Sequence, residues 1–292
     1  MSSKDWLLLI TLSVLWGGSF LFFGIAIKEL SPFTLVFSRV FIAALCLVVF
    51  ARLPRKLYPG LPWKDFFTMA LLNNVIPFTL IAWGQSHIAS GLAAIINAST
   101  PLFTVLVAHF LTTDEKANGF KVAGIIMGIL GVAIMIGSDA TASLSLHVIA
   151  ELAIVGAAIS YSFASVFGRR FKTKGIDPVS SATGQVVASS IILLPIMLLI
   201  DQPWALPLPG AATTWSLLGL GILSTALAYL IFFRLLSSAG ATNLMRVTLL
   251  VPVSAVWFGW WILDEQLSMT HFVGMGIIGL GLLLIDQRLF RR

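Results

Sequence analysis

Ten stretches, each long enough to be a membrane helix of about 20 residues, carry almost no charge, and this limits what the chain can become. They are residues 6–27, 32–51, 66–86, 88–113, 122–138, 146–168, 178–200, 212–233, 241–263 and 268–285. With so little water in the hydrocarbon of a bilayer, each stretch has to satisfy its own backbone, which a helix does internally. The runs are long and show little strict alternation, which argues against a β-barrel. Of the 292 residues, 58% are hydrophobic and 10% charged, and the mean hydropathy is +0.99. A single soluble core of this size cannot bury that much apolar surface.

The net charge of +6 does not point to nucleic acid, because the basic residues sit in short clusters between the spans. On one face fall Lys4, Arg52, Arg55, Lys56, Lys64, Lys116, Lys121, Arg169, Arg170, Lys172, Lys174, Arg234, Arg288, Arg291 and Arg292. Lys28 stands alone on the other face, and Arg39 and Arg246 lie inside spans. Such a bias places both termini in the cytoplasm. Cys46 is the single cysteine, so no internal disulfide and no thiolate metal site is expected. The first apolar span is too long for a signal-peptide core.

One pattern occurs twice, over residues 90–131 and 241–281. Each copy has a mid-span proline, Pro101 or Pro252, and then an acidic pair, Asp114-Glu115 or Asp264-Glu265. Eight residues intervene before Gly124 or Gly274, and six more before Gly131 or Gly281. Self-similarity at a fixed offset indicates internal duplication. A unit of five spans is odd in number, so the second copy inserts upside down. The expected fold is therefore an all-α integral membrane protein of ten transmembrane helices. It is built as two inverted five-helix repeats, residues 1–140 and 141–292.

These landmarks resemble the drug/metabolite transporter superfamily, specifically its ten-helix EamA-type exporters. The first span reads Leu15-Trp16-Gly17-Gly18-Ser19-Phe20, similar to that family's tryptophan-glycine start. The paired prolines, acidic ends and glycine ladders extend the likeness along the whole chain. The resemblance implies export of amino acids or related metabolites across a bacterial inner membrane.

Inverted repeats place a substrate between the two halves near the midplane. Polar side chains inside spans are costly unless they face a cavity or a partner helix. The candidates for a cavity wall are Trp16, Phe20, Asn73, Asn74, Pro77, Asn97, Thr100, Tyr161, Gln185, Thr225, Tyr229 and Thr248. For single hydroxyls, interhelical hydrogen bonding is the plainer explanation. Pro101 and Pro252 are candidate hinges, because proline removes a backbone hydrogen bond and clashes with the preceding turn. Static kinks are the alternative. Arg39 stays charged, so it either meets a substrate carboxylate or snorkels to the surface.

Neutral amides and aromatic walls suit a zwitterion or an uncharged metabolite. No Asp or Glu falls near the middle of a span, all twelve lying at ends or in loops. A proton pump of this type normally uses a buried carboxylate, so facilitated transport without obligatory proton coupling is expected. The resembling small multidrug antiporters carry a glutamate in their first helix, and this chain does not. No metalloprotease H-E-x-x-H and no phosphate-cradling loop is present, so no catalytic residue, metal or cofactor is expected. Drugs or nucleosides remain the alternative cargo. The expected contacts are a small-molecule substrate and membrane lipid, with no nucleic acid, and one chain suffices to enclose a cavity.

Overall fold

A computed structural model of the chain describes residues 1–50, 62–139, 145–244 and 246–286. Arg52, Arg55, Lys56, Arg288, Arg291 and Arg292 lie outside the described residues, as does the expected 140/141 boundary between repeats. Every regular element among the described residues is helical. Among the described residues nine helices are long and apolar enough to cross a membrane, and a tenth apolar helix, Val247–Leu263, is shorter.

In chain order they are α1 (Ser3–Ala26), α2 (Pro32–Phe50), α3 (Trp63–Gln85), α4 (Ser90–Leu111) and α5 (Gly119–Asp139). Then follow α6 (Leu146–Phe167), α7 (Pro178–Asp201), α8 (Ala211–Ala239), α9 (Val247–Leu263) and α10 (Met269–Asp286). Large apolar side chains such as Val49, Phe110 and Leu199 project from the outside of the bundle. That is the expected surface of a helix bundle solvated by lipid.

Two spans that read as continuous are interrupted. In α4 the α-helix stops at Asn97 and restarts at Thr100. Pro101 has no N–H for the Asn97 carbonyl, and the Thr100 hydroxyl donates to that carbonyl at 2.6 Å instead. The Ser99 hydroxyl takes the Ile96 carbonyl at 2.6 Å in the same way. The stretch expected over 241–263 divides into a short turn, Ala241–Leu244, and α9. Pro252 sits inside α9 without breaking it, so the two paired prolines have different local structures.

Three spans carry a π-helical segment: Leu71–Val75 in α3, Met197–Asp201 in α7 and Gly219–Leu227 in α8. Pro77 and Pro195 lie close to the first two. In α8 the Thr225 hydroxyl reaches back to the Leu220 carbonyl at 2.8 Å, five residues earlier.

Packing follows close backbone approaches. Gly17 of α1 abuts Ser254 and Ala255 of α9, and Gly24 abuts Leu263, so these helices run parallel. Between α4 and α6, also parallel, Ser162 donates to the Thr100 carbonyl at 3.1 Å. Antiparallel α1 and α8 meet where Phe22 covers Gly219 and Ser224 donates to the Leu15 carbonyl at 2.8 Å. Antiparallel α3 and α6 meet where Ser160 donates to the Leu72 carbonyl at 2.7 Å and Ile154 covers Gly84. The glycine ladders of α5 and α10 face each other antiparallel, Gly124 on Gly281 and Gly131 on Gly274.

The helix ends are tied in pairs. On one face Arg169 bridges Asp114 at 3.1 Å and Glu115 at 2.6 Å, and Lys174 pairs with Asp65. On the other, Asp201 accepts from the Thr34 N–H and hydroxyl at 2.6 and 2.8 Å. Glu265 there accepts from the Ser90 N–H at 2.7 Å, the Ser90 hydroxyl at 3.0 Å and the Gly91 N–H at 3.0 Å. It therefore caps the otherwise orphan donors at the start of α4.

Candidate functional site

The π-helical part of α3 turns two adjacent asparagines inward. An ordinary α-turn separates neighbours by about 100°, and the wider turn lets both serve one cluster. Asn73 Nδ2 donates to Gln185 Oε1 of α7 at 3.1 Å and to the Tyr229 hydroxyl of α8 at 3.3 Å. Asn74 Nδ2 donates to Ser189 Oγ of α7 at 2.9 Å, and the Tyr229 hydroxyl donates to Asn74 Oδ1 at 3.2 Å. Asn74 is completely buried. Three helices thus share one neutral hydrogen-bonded network across the bundle.

Beside it stands Arg39 of α2, 5% exposed. Its Nε donates to Thr225 Oγ1 of α8 at 3.0 Å. The guanidinium carbon lies 3.7 Å from the centre of the Phe78 ring and 5.2 Å from that of Phe23. The snorkelling expected as one option is therefore corrected. Phe23 and Phe78 hold the planar cation by cation–π attraction, and Thr225 fixes its inner edge. The hydroxyls of Tyr161 and Tyr229 lie within its electrostatic range. Tyr161 also packs edge-on against Phe78, ring centres 6.4 Å apart.

The remaining candidates are spread around this centre. Phe20 and Pro77 are buried, and Trp16 is half-buried against Phe232, ring centres 5.7 Å apart. Asn97 and Thr100 flank the break in α4, where Asn97 Oδ1 is buried with no hydrogen-bond partner among the described residues. Thr248 lies in the first turn of α9, two residues after Arg246, whose guanidinium reaches Met1 Sδ at 3.7 Å. Pro101 and Pro252 are buried on α4 and α9.

Several participants escaped the sequence reading. Ser189 lies four residues after Gln185, one helical turn along the same face, and that spacing was the available signal. Phe23 and Phe78 look like ordinary apolar residues and only their placement over Arg39 sets them apart. Glu151 lies near an end of its span, as expected of the carboxylates, and yet it is buried. It lies in the second turn of α6 and is fully buried, because the neighbouring Ala150 and Ile154 pack closely on Gly84. Among the described residues no cluster of three His, Cys, Asp or Glu side chains is placed to hold a metal ion.

A model of the EamA-like transporter family matches the chain twice, over residues 4–137 and 148–286. The chain belongs to the EamA-like transporter family. As an EamA-like protein it is a multi-pass membrane transporter. An uncharacterised transporter of Bacillus subtilis, YoaV, is 25% identical over 290 residues, covering 97% of each chain. An uncharacterised transporter of Archaeoglobus fulgidus is 26% identical, covering 98% of this chain and 99% of its own. The uncharacterised inner membrane transporter YedA of Escherichia coli is 26% identical, covering 95% of this chain and 89% of its own. A solved structure titled only as the crystal structure of a protein superposes with a TM-score of 0.66 over 100% of this chain and 99% of that one. At 19% identity that likeness speaks to the EamA-like fold alone.

Proposed function

We propose that this transporter exports small amino acids or related zwitterionic metabolites across a bacterial inner membrane, both termini lying in the cytoplasm. The observation that carries the reading is the neutral network of Asn73, Asn74, Gln185, Ser189 and Tyr229, joined across α3, α7 and α8. Its amides and hydroxyls offer donors and acceptors together, which suits a solute bearing both.

Alternating access is the mechanism we infer, with Val247–Leu263 as the tenth span and two inverted five-helix repeats as the moving parts. Support comes from the pattern of contacts. The parallel pair α1–α9 has a counterpart in α6–α4, and the antiparallel pair α1–α8 in α6–α3. Each exchange swaps a helix of one half for its equivalent in the other. The family match also falls into two similar lengths. Such a pair of repeats has two related packings, each opening the central site to one side. Pro101 and Pro252 mark the hinges in this reading, Pro252 through its ring and Pro101 at a break that the Ser99 and Thr100 hydroxyls also hold.

Transport is facilitative, since the central network contains no carboxylate to carry a proton. Glu151 lies toward one end of α6, apart from that network. The test is uptake of labelled threonine, methionine and phenylalanine into proteoliposomes, with counterflow. Saturable exchange of any of them is expected. Transport of nucleosides or drugs in place of all three would overturn the substrate class.

A further inference from the structure

We propose that Arg39 is an anion-binding centre that receives the carboxylate of the transported solute; this rests on the transporter reading above and names the group that recognises its cargo. Among the described residues the ion pairs join Arg169 to Asp114 and Glu115, and Lys174 to Asp65. None involves Arg39. The ionisable side chains within its electrostatic range are Tyr161 and Tyr229, and an ordinary tyrosine carries no charge near neutral pH, with a pKa of about 10. Arg39 is thus a buried positive charge, 5% exposed, with no carboxylate paired to it among the described residues.

A buried charge is expensive unless it is paired and hydrogen-bonded. Phe78 and Phe23 compensate in part through their ring faces. Neither ring offers an oxygen or nitrogen acceptor, so the N–H groups of the guanidinium look for partners elsewhere. One finds it: Nε donates to Thr225 Oγ1 at 3.0 Å. The Thr225 hydroxyl hydrogen is itself committed to the Leu220 carbonyl at 2.8 Å, which orients its lone pair toward Arg39. Neither Nη makes a hydrogen bond to the described residues. Two parallel N–H donors on a clamped plane are the fork that binds a carboxylate through both oxygens. Lysine cannot reproduce that geometry.

The arrangement also separates two poles. Arg39 takes the carboxylate, while the acceptors Gln185 Oε1, Asn74 Oδ1 and the Tyr229 hydroxyl lie toward the network side. An amino acid held this way brings a carboxylate to pair with Arg39 and leaves its ammonium to the neutral acceptors, so the net charge of the site is unchanged but the guanidinium is no longer unpaired. Empty, the site keeps an unpaired charge, which favours the loaded carrier.

Two measurements on the purified full-length chain test this. In proteoliposomes, the amino acid that moves fastest is set against its own methyl ester, which lacks the carboxylate. The ester should compete at least about tenfold more weakly with the native protein, as expected when one partner of a charge-assisted pair is lost. R39Q should raise KM for the acid by about the same factor and make acid and ester equivalent, and R39K should fall between. Equal competition by the ester in the native protein, or an unchanged KM in R39Q, overturns the proposal. The ester comparison needs no variant, so poor folding of R39Q does not block it.

If the native protein moves none of the three amino acids, the substrate reading fails, and the second measurement still decides on Arg39. Thermal unfolding in detergent is followed while sodium acetate, free threonine or sodium chloride is added. A rise in melting temperature with the carboxylates and not with chloride, abolished by R39Q, upholds the anion site. No rise, or an equal rise with chloride, overturns it.

Discussion

Replacing Gly281 by alanine tests the contact between the two glycine ladders. A Cβ at Gly281 would lie 2.6 Å from the Gly124 carbonyl oxygen, 3.0 Å from the Gly128 nitrogen and 3.3 Å from the Gly128 Cα. All three obstacles are backbone atoms of α5, so no side chain can rotate aside. Carbon atoms settle at about 3.5–4.0 Å, so α5 and α10 must part by an appreciable fraction of an ångström. A gap of roughly 0.5–1 Å forfeits a quarter to a half of the dispersion well for each atom pair along the seam. Overpacking of this kind costs about 1–3 kcal/mol. The control is Gly279→Ala on the same helix, where a Cβ meets nothing within 4 Å. There the exchange should stabilise by up to about 1 kcal/mol, the ordinary preference of a helix for alanine over glycine. The two variants should therefore differ by roughly 1–4 kcal/mol in opposite directions. Unfolding of each in mixed micelles with increasing SDS, followed by tryptophan fluorescence, gives the comparison. If G281A unfolds at the same SDS fraction as G279A, the close approach of α5 and α10 is not what holds them together.

Other consequences are read in the same preparations. Asn74→Leu leaves the Tyr229 hydroxyl without its acceptor in a buried site and should cost about 1–3 kcal/mol; transport should fall with stability retained in the cold, and normal uptake would remove Asn74 from the substrate path. Gln85 is buried and its amide makes no hydrogen bond among the described residues, so Gln85→Leu should raise stability by about 1 kcal/mol, and a loss would mean that the amide has a partner. Pro252→Ala should slow transport about tenfold by restoring a backbone hydrogen bond within α9, whereas Pro101→Ala, in the first turn after a break, should change it less than about threefold. Normal rates in both would end the hinge reading. Glu151→Gln should leave equilibrative uptake unaltered, and abolition of a pH-driven component would make that buried carboxyl the proton carrier.

The order of the apolar helices was legible because length and hydropathy are local properties: the uncharged run 146–168 became α6 over Leu146–Phe167, while the run 241–263 yielded a short turn and a helix shorter than the other nine. The interruptions were less so. Pro101 marks a break in α4 and Pro252, in the same pattern, does not break α9. The hydroxyls of Ser99 and Thr100 decide the first case by taking carbonyls that the helix would use. The π-helical turns were invisible, since an apolar run reads the same with either winding. Asn73 and Asn74 were candidates as isolated polar residues, yet their partners Gln185, Ser189 and Tyr229 are more than 100 residues away. Arg39 was conspicuous by charge, but whether it turned inward depended on Phe78 and Phe23, whose types say nothing of that role.

The most direct test of the central claim is counterflow in proteoliposomes that contain this chain alone. Vesicles are loaded with unlabelled threonine, methionine or phenylalanine and diluted into a trace of the labelled compound, with and without a pH gradient. The account predicts a transient overshoot of label for at least one of them, the same with and without the gradient. Accumulation only with the gradient would contradict facilitated transport, and no overshoot for all three would contradict an amino-acid carrier.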